Sequence, residues 1–197
     1  MSTIRDVAVV AAELVSEEAS ELNGGDPRLC HSAAFALHNV LEYFGFDSKV
    51  VPVDVLVVRR HESIPGGGYL STCGNPPNPF DDSQSVLLPT KPIGEGLIPS
   101  DYHSVVFVGG MMVDPTAGQF ARPQYGIEIP PVIFGNVDEA GLVNLPTFKV
   151  PQDAYMQYSR SSVEEPYALL NTGQGSWVRT IAGAVIRRIK QGSKRAA

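Results

Sequence analysis

The segment 28–44 constrains the fold of this chain more than any other, because it has helical length and is apolar on nearly every side. It follows the helix-breaking run Asn-Gly-Gly-Asp-Pro at 23–27 and ends at Gly45, a residue type that commonly terminates helices. A helix that is hydrophobic all round lies buried rather than on the surface. Other elements must therefore cover this segment from several sides.

The rest of the hydrophobic pattern mixes helical and strand periodicities. The predicted elements are a helix at 3–22, a valine-rich strand at 48–58, a β-hairpin over 102–114, strands at 132–134 and 147–150, and a helix at 177–189. Pro52 marks an edge position or a bulge in the first strand, and Ser176 is the expected cap of the last helix. Gly109-Gly110 is a known two-residue turn signal. The mixture predicts an α+β fold with the buried helix packed on an antiparallel sheet.

A length of 197 residues suits a single domain with one sizeable core. We distinguish an N-terminal helix at 1–22, core motifs at 26–120, and a C-terminal helix with a basic tail at 176–197. Residues 61–100 form a loop-rich insert that contains three consecutive glycines at 66–68. Such a stretch is either a decorated surface loop or a functional flap. We expect it to shape a substrate cleft or to dock a protein partner.

Composition and charge exclude several classes of protein. Hydrophobic residues make up 43% and charged residues 18%, which is typical of a globular chain rather than a disordered one. No apolar run reaches the roughly 18 residues of a membrane helix, so we expect no membrane partner. The net charge of −6 argues against nucleic acid. The early stretch is acidic and lacks a signal pattern, so we expect a cytoplasmic protein, or one delivered without a cleavable signal peptide.

The two cysteines, Cys30 and Cys73, cannot form a disulfide framework, and we expect both to be free thiols. The histidines do not pair with them at the spacings of structural zinc sites, so we expect no metal and no other cofactor. Cys30 lies at the start of the buried helix, where the positive end of the helix dipole lowers a thiol pKa. This position suits a nucleophile, although inert core cysteines are also common.

His103 and Asp114 lie on the two strands of the predicted hairpin. With Gly109-Gly110 as the turn, Val105 pairs with Asp114, and His103 and Asp114 become diagonal neighbours on one face, about 7 Å apart at Cβ. That separation permits an imidazole–carboxylate hydrogen bond, which fixes the ring tautomer and stabilises the imidazolium. Cys30, His103 and Asp114 are therefore the predicted catalytic triad. Their meeting in space is an expectation, because spacing alone does not supply it.

Two segments carry a family resemblance. The run from Cys30 to Val51, CHSAAFALHNVLEYFGFDSKVV, resembles the nucleophile helix and following strand of transglutaminase-like and papain-fold cysteine proteins. The run from His103 to Thr116, HSVVFVGGMMVDPT, is similar to their histidine strand, turn and Asp-Pro-Thr strand. The following AGQF at 117–120 is similar to bacterial papain-fold toxin-like and deamidase-like members. The resemblance implies a papain-like or transglutaminase-like fold and the same three site residues.

The resemblance also implies the reaction class, and it leaves the substrate open. We expect a cysteine-dependent hydrolase or acyltransferase that forms an acyl-enzyme on Cys30 with a protein or peptide amide, or with a thioester. Peptidase, glutamine deamidase and transglutaminase-like acyltransferase share this triad, as does an acetyl-CoA-dependent arylamine acyltransferase. No glutamine stands before Cys30 for a papain-type oxyanion hole, so Asn23 and Gln119 are the oxyanion candidates. The alternative is a non-catalytic structural or interaction protein, such as a virion or complex component.

Overall fold

A computed structural model of the chain describes residues 3–22, 30–60, 68–73, 85–87, 102–137, 147–151, 153–163 and 174–195. These residues form three α-helices and eight β-strands, which confirms the predicted α+β class. The helices are α1 (Ile4–Leu22), α2 (Cys30–Tyr43) and α3 (Gln174–Arg195). The strands are β1 (Ser48–Arg60), β2 (Gly68–Cys73), β3 (Ser85–Leu87), β4 (His103–Val108), β5 (Met111–Asp114), β6 (Ile133–Gly135), β7 (Thr147–Val150) and β8 (Ala154–Arg160).

Strand β1 organises the sheet because it pairs along both of its edges. One edge pairs with β4 over its first half and with β2 over its second half, while the other edge pairs with β8. The path of hydrogen-bonded neighbours runs β3-β2-β1-β4-β5-β6, with β8 on the other edge of β1 and β7 paired to β8, and only the β2–β3 pair is parallel. The end of β2 and the start of β4 therefore meet along β1, where Cys73 lies opposite Val55 and His103 opposite Val53.

The sheet curls until β6 and β7 approach each other. A Cβ atom at Gly135 in β6 would lie 2.4 Å from the ring of Phe148 in β7, so any larger residue would have to displace this ring. The concave face is filled by buried apolar side chains from the strands and from the segment that follows β5. They include Val53, Val105, Met112, Phe120, Ile127, Ile133, Val150 and Met156. The curl thus encloses one core, and the first residue of β4 lies at its rim.

The helices cover the opposite face of the sheet. Every residue of α2 from Cys30 to Leu37 is buried, and the helix contacts α1, α3, β1 and β4, so its predicted burial is confirmed for this part. Asn39, Glu42 and Tyr43, in the second half of the helix, are exposed. Its end has the predicted glycine stop. Gly45 has a φ of 83°, its N–H donates to Glu42 O, and the N–H of Phe46 donates to Leu41 O. This tight closure sends the chain directly from α2 into β1.

Several predicted boundaries and elements need correction. α3 begins at Gln174, so Ser176 is an internal helix residue whose carbonyl accepts from the Thr180 hydroxyl, and the predicted cap is wrong. The insert at 61–100 is less irregular than predicted, because it contains β2 and β3. β8 was not predicted, although its buried residues Ala154, Met156 and Tyr158 alternate with less buried ones. None of the helices in the described ranges is both long and apolar enough to cross a bilayer.

Candidate active site

Cys30 is the first residue of α2, and only 6% of its surface is exposed. The helix directs its first N–H groups and its positive dipole end toward this position. Helix α2 packs on β1 and β4, so its first residue lies against this part of the sheet. The sulfur consequently lies at the rim of the curl, beside the start of β4.

His103 and Asp114 meet as the hairpin register predicts. Val106 pairs with Val113 and Val108 with Met111, so the ladder has the predicted two-residue turn at 109–110. Nε2 of His103 donates to Oδ2 of Asp114 at 2.9 Å, and neither side chain is exposed. The hydrogen bond expected from the sequence is therefore present in the fold.

Asp114 accepts hydrogen bonds on both carboxylate oxygens. Oδ1 accepts from the backbone N–H of Thr116 at 2.9 Å and from its hydroxyl at 3.4 Å. Oδ2 accepts from the Tyr158 hydroxyl at 2.9 Å as well as from His103. Burial, together with the neighbouring Asp114 charge, raises the pKa of Tyr158 well above its ordinary range, so this hydroxyl remains a donor. Such a set of donors stabilises the carboxylate that orients His103.

The Cys30 thiol and the His103 imidazole lie close enough for each to shift the pKa of the other. Burial alone would raise the pKa of Cys30, but the His31 and His103 imidazoles outweigh it and lower the pKa to about 5. Burial would lower the pKa of His103, but Asp114 and then Cys30 raise it to about 10. The two directions agree, because each partner stabilises the charged form of the other. Near neutral pH this pair is a thiolate and an imidazolium.

Gln119 is the oxyanion candidate that the structure places at the site. Its Nε2 lies 2.9 Å from Nδ1 of His103, and it belongs to a short 3-10 turn, Ala117–Phe120, that follows β5. The Phe120 ring packs edge-on against His103 at 5.2 Å between centroids, which holds this turn over the imidazole. The other candidate, Asn23, lies outside the described residues.

The sequence reasoning missed three polar residues of the site. Ser104 is buried beside the thiol helix, and its Oγ lies 2.7 Å from Nδ1 of His31. Thr116 and Tyr158 hold Asp114. Thr116 could have been noticed as the residue two places after the acid, a common position for a donor to an aspartate. Nothing in the sequence near Tyr158 points to Asp114, because β8 reaches the acid through the curl of the sheet.

The remaining histidine and cysteine of the described region have other surroundings. Nδ1 of His38 lies 2.8 Å from Oγ of Ser48, at the far end of α2 from Cys30. Cys73 ends β2 and packs against the core inside the curl. Within the described ranges, no cluster of three or more histidine, cysteine or acidic side chains could hold a metal ion.

The geometry defines a buried thiol–imidazole–carboxylate site at the junction of a helix and a curled sheet. Comparison with protein-family models, curated proteins and solved structures gives no match for this chain.

Proposed function

We propose that this chain is a cysteine-dependent hydrolase or acyltransferase of the papain-like or transglutaminase-like kind. It acts on an amide or thioester through an acyl-enzyme on Cys30. One observation carries the proposal: the single imidazole of His103 contacts the Cys30 thiol and also donates to the buried Asp114 carboxylate. A thiol, a base and an acid that orients the base are the three groups that nucleophilic acyl transfer needs.

The reaction follows from this arrangement. The thiolate sulfur of Cys30 attacks the substrate carbonyl carbon, and the carbonyl oxygen takes the negative charge. The backbone N–H of Cys30 and the Gln119 amide are the donors available to that oxygen. His103 then gives its proton to the departing amine or thiolate, and the carbonyl reforms as an acyl-enzyme. Water or an amine gives a proton to His103, attacks the acyl carbon and releases the thiolate.

The Gln119 amide has a natural route to the oxyanion. In the neutral imidazole, Nδ1 accepts from Nε2 of Gln119, which lies 2.9 Å away. When the ring takes the thiol proton, Nδ1 becomes a donor and no longer accepts from the amide. The amide N–H groups are then directed to another acceptor, and the developing oxyanion is one. In the resting thiolate–imidazolium pair the Gln119 amide is therefore already released from Nδ1 and is available to the developing oxyanion.

A mass measurement tests the acyl-enzyme. The protein is treated with p-nitrophenyl acetate, and the modified residue is located by peptide mass spectrometry. We expect a transient acetyl adduct on Cys30 that is lost in Cys30→Ala and in His103→Ala. The matched control Cys73→Ser should keep it. Absence of an adduct on Cys30, or equal acetylation of Cys73, would contradict the proposal and favour a non-catalytic interaction protein.

The fate of a glutamine-containing peptide then separates the reaction types. A peptidase cleaves the chain, a deamidase releases ammonia and leaves a glutamate, and an acyltransferase joins the glutamine side chain to an added primary amine. Each product has a distinct mass. All three outcomes require Cys30, so the Cys30→Ala variant is the common control.

A further inference from the structure

We propose that His31 is a second catalytic residue, whose imidazole contacts the Cys30 sulfur together with His103 and shares the stabilisation of its thiolate. The inference rests on the proposed thiol chemistry and names a second group that acts on the same reacting atom. It starts from how the first two residues of β4 are arranged around the start of α2.

His103 and Ser104 are consecutive on β4, so their side chains point to opposite faces of the sheet. His103 lies on the concave face, where it meets Asp114. Ser104 lies on the face that carries α2, where its Oγ is 2.7 Å from Nδ1 of His31. The strand therefore holds one imidazole directly and anchors a second one through a hydroxyl. Both imidazoles lie close enough to the sulfur of Cys30 to lower the pKa of its thiol.

His31 is held firmly in this position. Only 8% of its surface is exposed, and Ser104 is fully buried. The ring also packs against Tyr102 at 4.6 Å between centroids, with the planes tilted by 54°. Two such contacts leave the ring little rotational freedom. Neither contact involves a backbone group of α2, so helix capping does not explain them. The imidazole held in this way acts on the thiol of Cys30, the preceding residue.

The causes of the Cys30 pKa shift support the same role for His31. Among the groups that oppose the effect of burial, the His31 imidazole acts most strongly in lowering the pKa of Cys30. Within the described elements, the titratable groups that act on this thiol or respond to its charge are His31, His103 and Tyr102. Burial and the Cys30 charge raise the pKa of Tyr102, so the tyrosine stays neutral and adds no charge of its own. His31 and His103 are thus the two groups that counter the effect of burial on the Cys30 thiol.

A second imidazole has a chemical use that His103 does not cover. The thiolate is the nucleophile in the first step and the leaving group in the second. In the second step His103 must accept the proton of the incoming water or amine, so its own hydrogen bond to the sulfur forms late. His31 contacts the sulfur throughout, and its partner Ser104 is an uncharged hydroxyl that fixes the ring. Stabilisation of the departing thiolate by His31 lowers the barrier to acyl-enzyme breakdown.

The test is the pH profile of iodoacetamide alkylation, measured in a Cys73→Ser background so that only Cys30 is read. We expect His31→Gln to move the midpoint of the profile upward from about 5 by one unit or more. At pH 5 the rate then falls by at least about fivefold, because a shift of one pKa unit lowers the thiolate fraction from about one half to about one tenth. The rate above pH 9 should be unchanged. The matched control His38→Gln removes the other imidazole of α2 and should overlay the parent profile.

The outcomes separate this inference from the proposed function. A parent profile with an acidic midpoint that His31→Gln leaves in place would overturn the role of His31 and leave the Cys30–His103 chemistry standing. A parent profile with the midpoint of an ordinary thiol would overturn both. If His31→Gln does not fold, as judged by circular dichroism, Ser104→Ala decides. It keeps the imidazole but removes its anchor, and we expect a smaller upward shift; an unchanged midpoint contradicts the proposal.

Discussion

The hydroxyl of Tyr158 donates to Oδ2 of Asp114 at 2.9 Å, the same oxygen that accepts from His103. This contact joins β8 to the hairpin of β4 and β5, although β8 pairs with the opposite edge of β1. It exists because the sheet curls and brings its two halves face to face around one core. The buried Asp114 carboxylate is therefore held by a strand, β8, that is remote in sequence from β4 and β5.

Tyr158→Phe should weaken the site without breaking the core, since the ring still fills its place. We expect a loss of about 1 kcal/mol in the free energy of unfolding, which is the net value of one hydrogen bond. We also expect the pH profile of Cys30 alkylation to move, because Asp114 loses a donor and interacts more strongly with His103. Denaturant unfolding and the alkylation profile measure the two effects. Tyr155→Phe, on the opposite face of β8, is the control, and an equal effect there would contradict the role of Tyr158.

Asp114→Asn should separate geometry from charge. The amide has the shape of the carboxylate but cannot accept on both sides, so His103 loses its orienting charge. We expect p-nitrophenyl acetate turnover to fall by on the order of 10³- to 10⁴-fold. Alkylation of Cys30 at pH 6 should also slow, because a less basic imidazole stabilises the thiolate less. Turnover within about threefold of the parent would show that Asp114 does not act through His103.

The thiolate–imidazolium pair predicts a plateau in stability. The pKa of Cys30 is lowered from 9.0 to about 5, and that of His103 is raised from 6.5 to about 10. Between about 5 and 6.5 the native state binds fewer protons than the unfolded chain, so stability from this pair rises with pH. Between 9.0 and about 10 it binds more, so stability falls.

The difference in Tm between the parent and Cys30→Ser, measured across pH, isolates the contribution of the Cys30–His103 pair from that of the other titrating groups. It should be largest from pH 6.5 to 9.0 and decline on both sides. A difference that grows steadily with pH, with no flat region, would mean that the thiol and the imidazole are not paired in the native state.

Gln119→Ala should reduce turnover while sparing the thiolate. Loss of one oxyanion donor costs about 10²- to 10³-fold in kcat, whereas alkylation by iodoacetamide has no oxyanion to stabilise. We therefore expect slow p-nitrophenyl acetate turnover together with a near-parent alkylation rate. Gln157→Ala, which removes an exposed amide from β8, is the matched control. Equal losses in both assays would assign Gln119 to holding His103 rather than to the oxyanion.

Gly135→Ala should test the closure of the sheet. The added methyl would lie 2.4 Å from Cε1 of Phe148, so the ring must move or β6 and β7 must separate. Overpacking of this kind costs about 1–3 kcal/mol in the free energy of unfolding. Adding Phe148→Ala should return part of the loss, which a double-mutant cycle measures. Gly192→Ala has no neighbouring atom within 4 Å and lies in α3, so we expect a gain of about 0.5–1 kcal/mol there.

Local pattern was sufficient for much of the fold. The all-round apolar character of α2, its glycine stop and the Gly-Gly turn each depend on residues a few positions apart, and all three are present as expected. The boundaries of α3 were harder. The helix begins two residues before the predicted cap at Ser176, because a helix can start wherever packing supports it.

Strands β2 and β8 were harder to predict from the sequence for another reason. Each gains its stability by pairing with β1 from a distant part of the chain, and short strands carry little intrinsic signal.

The same distinction between local and long-range contacts applies to the candidate site. The sequence by itself determined the pairing of His103 with Asp114, since one turn and one register place both residues on the same face of a hairpin. Only the tertiary structure decided that Cys30 meets this pair, that Tyr158 supports the acid and that Ser104 anchors a second imidazole. A hairpin is specified by contacts between near neighbours in the chain. The meeting of α2, β4 and β8 depends on how the whole core packs, which no local spacing encodes.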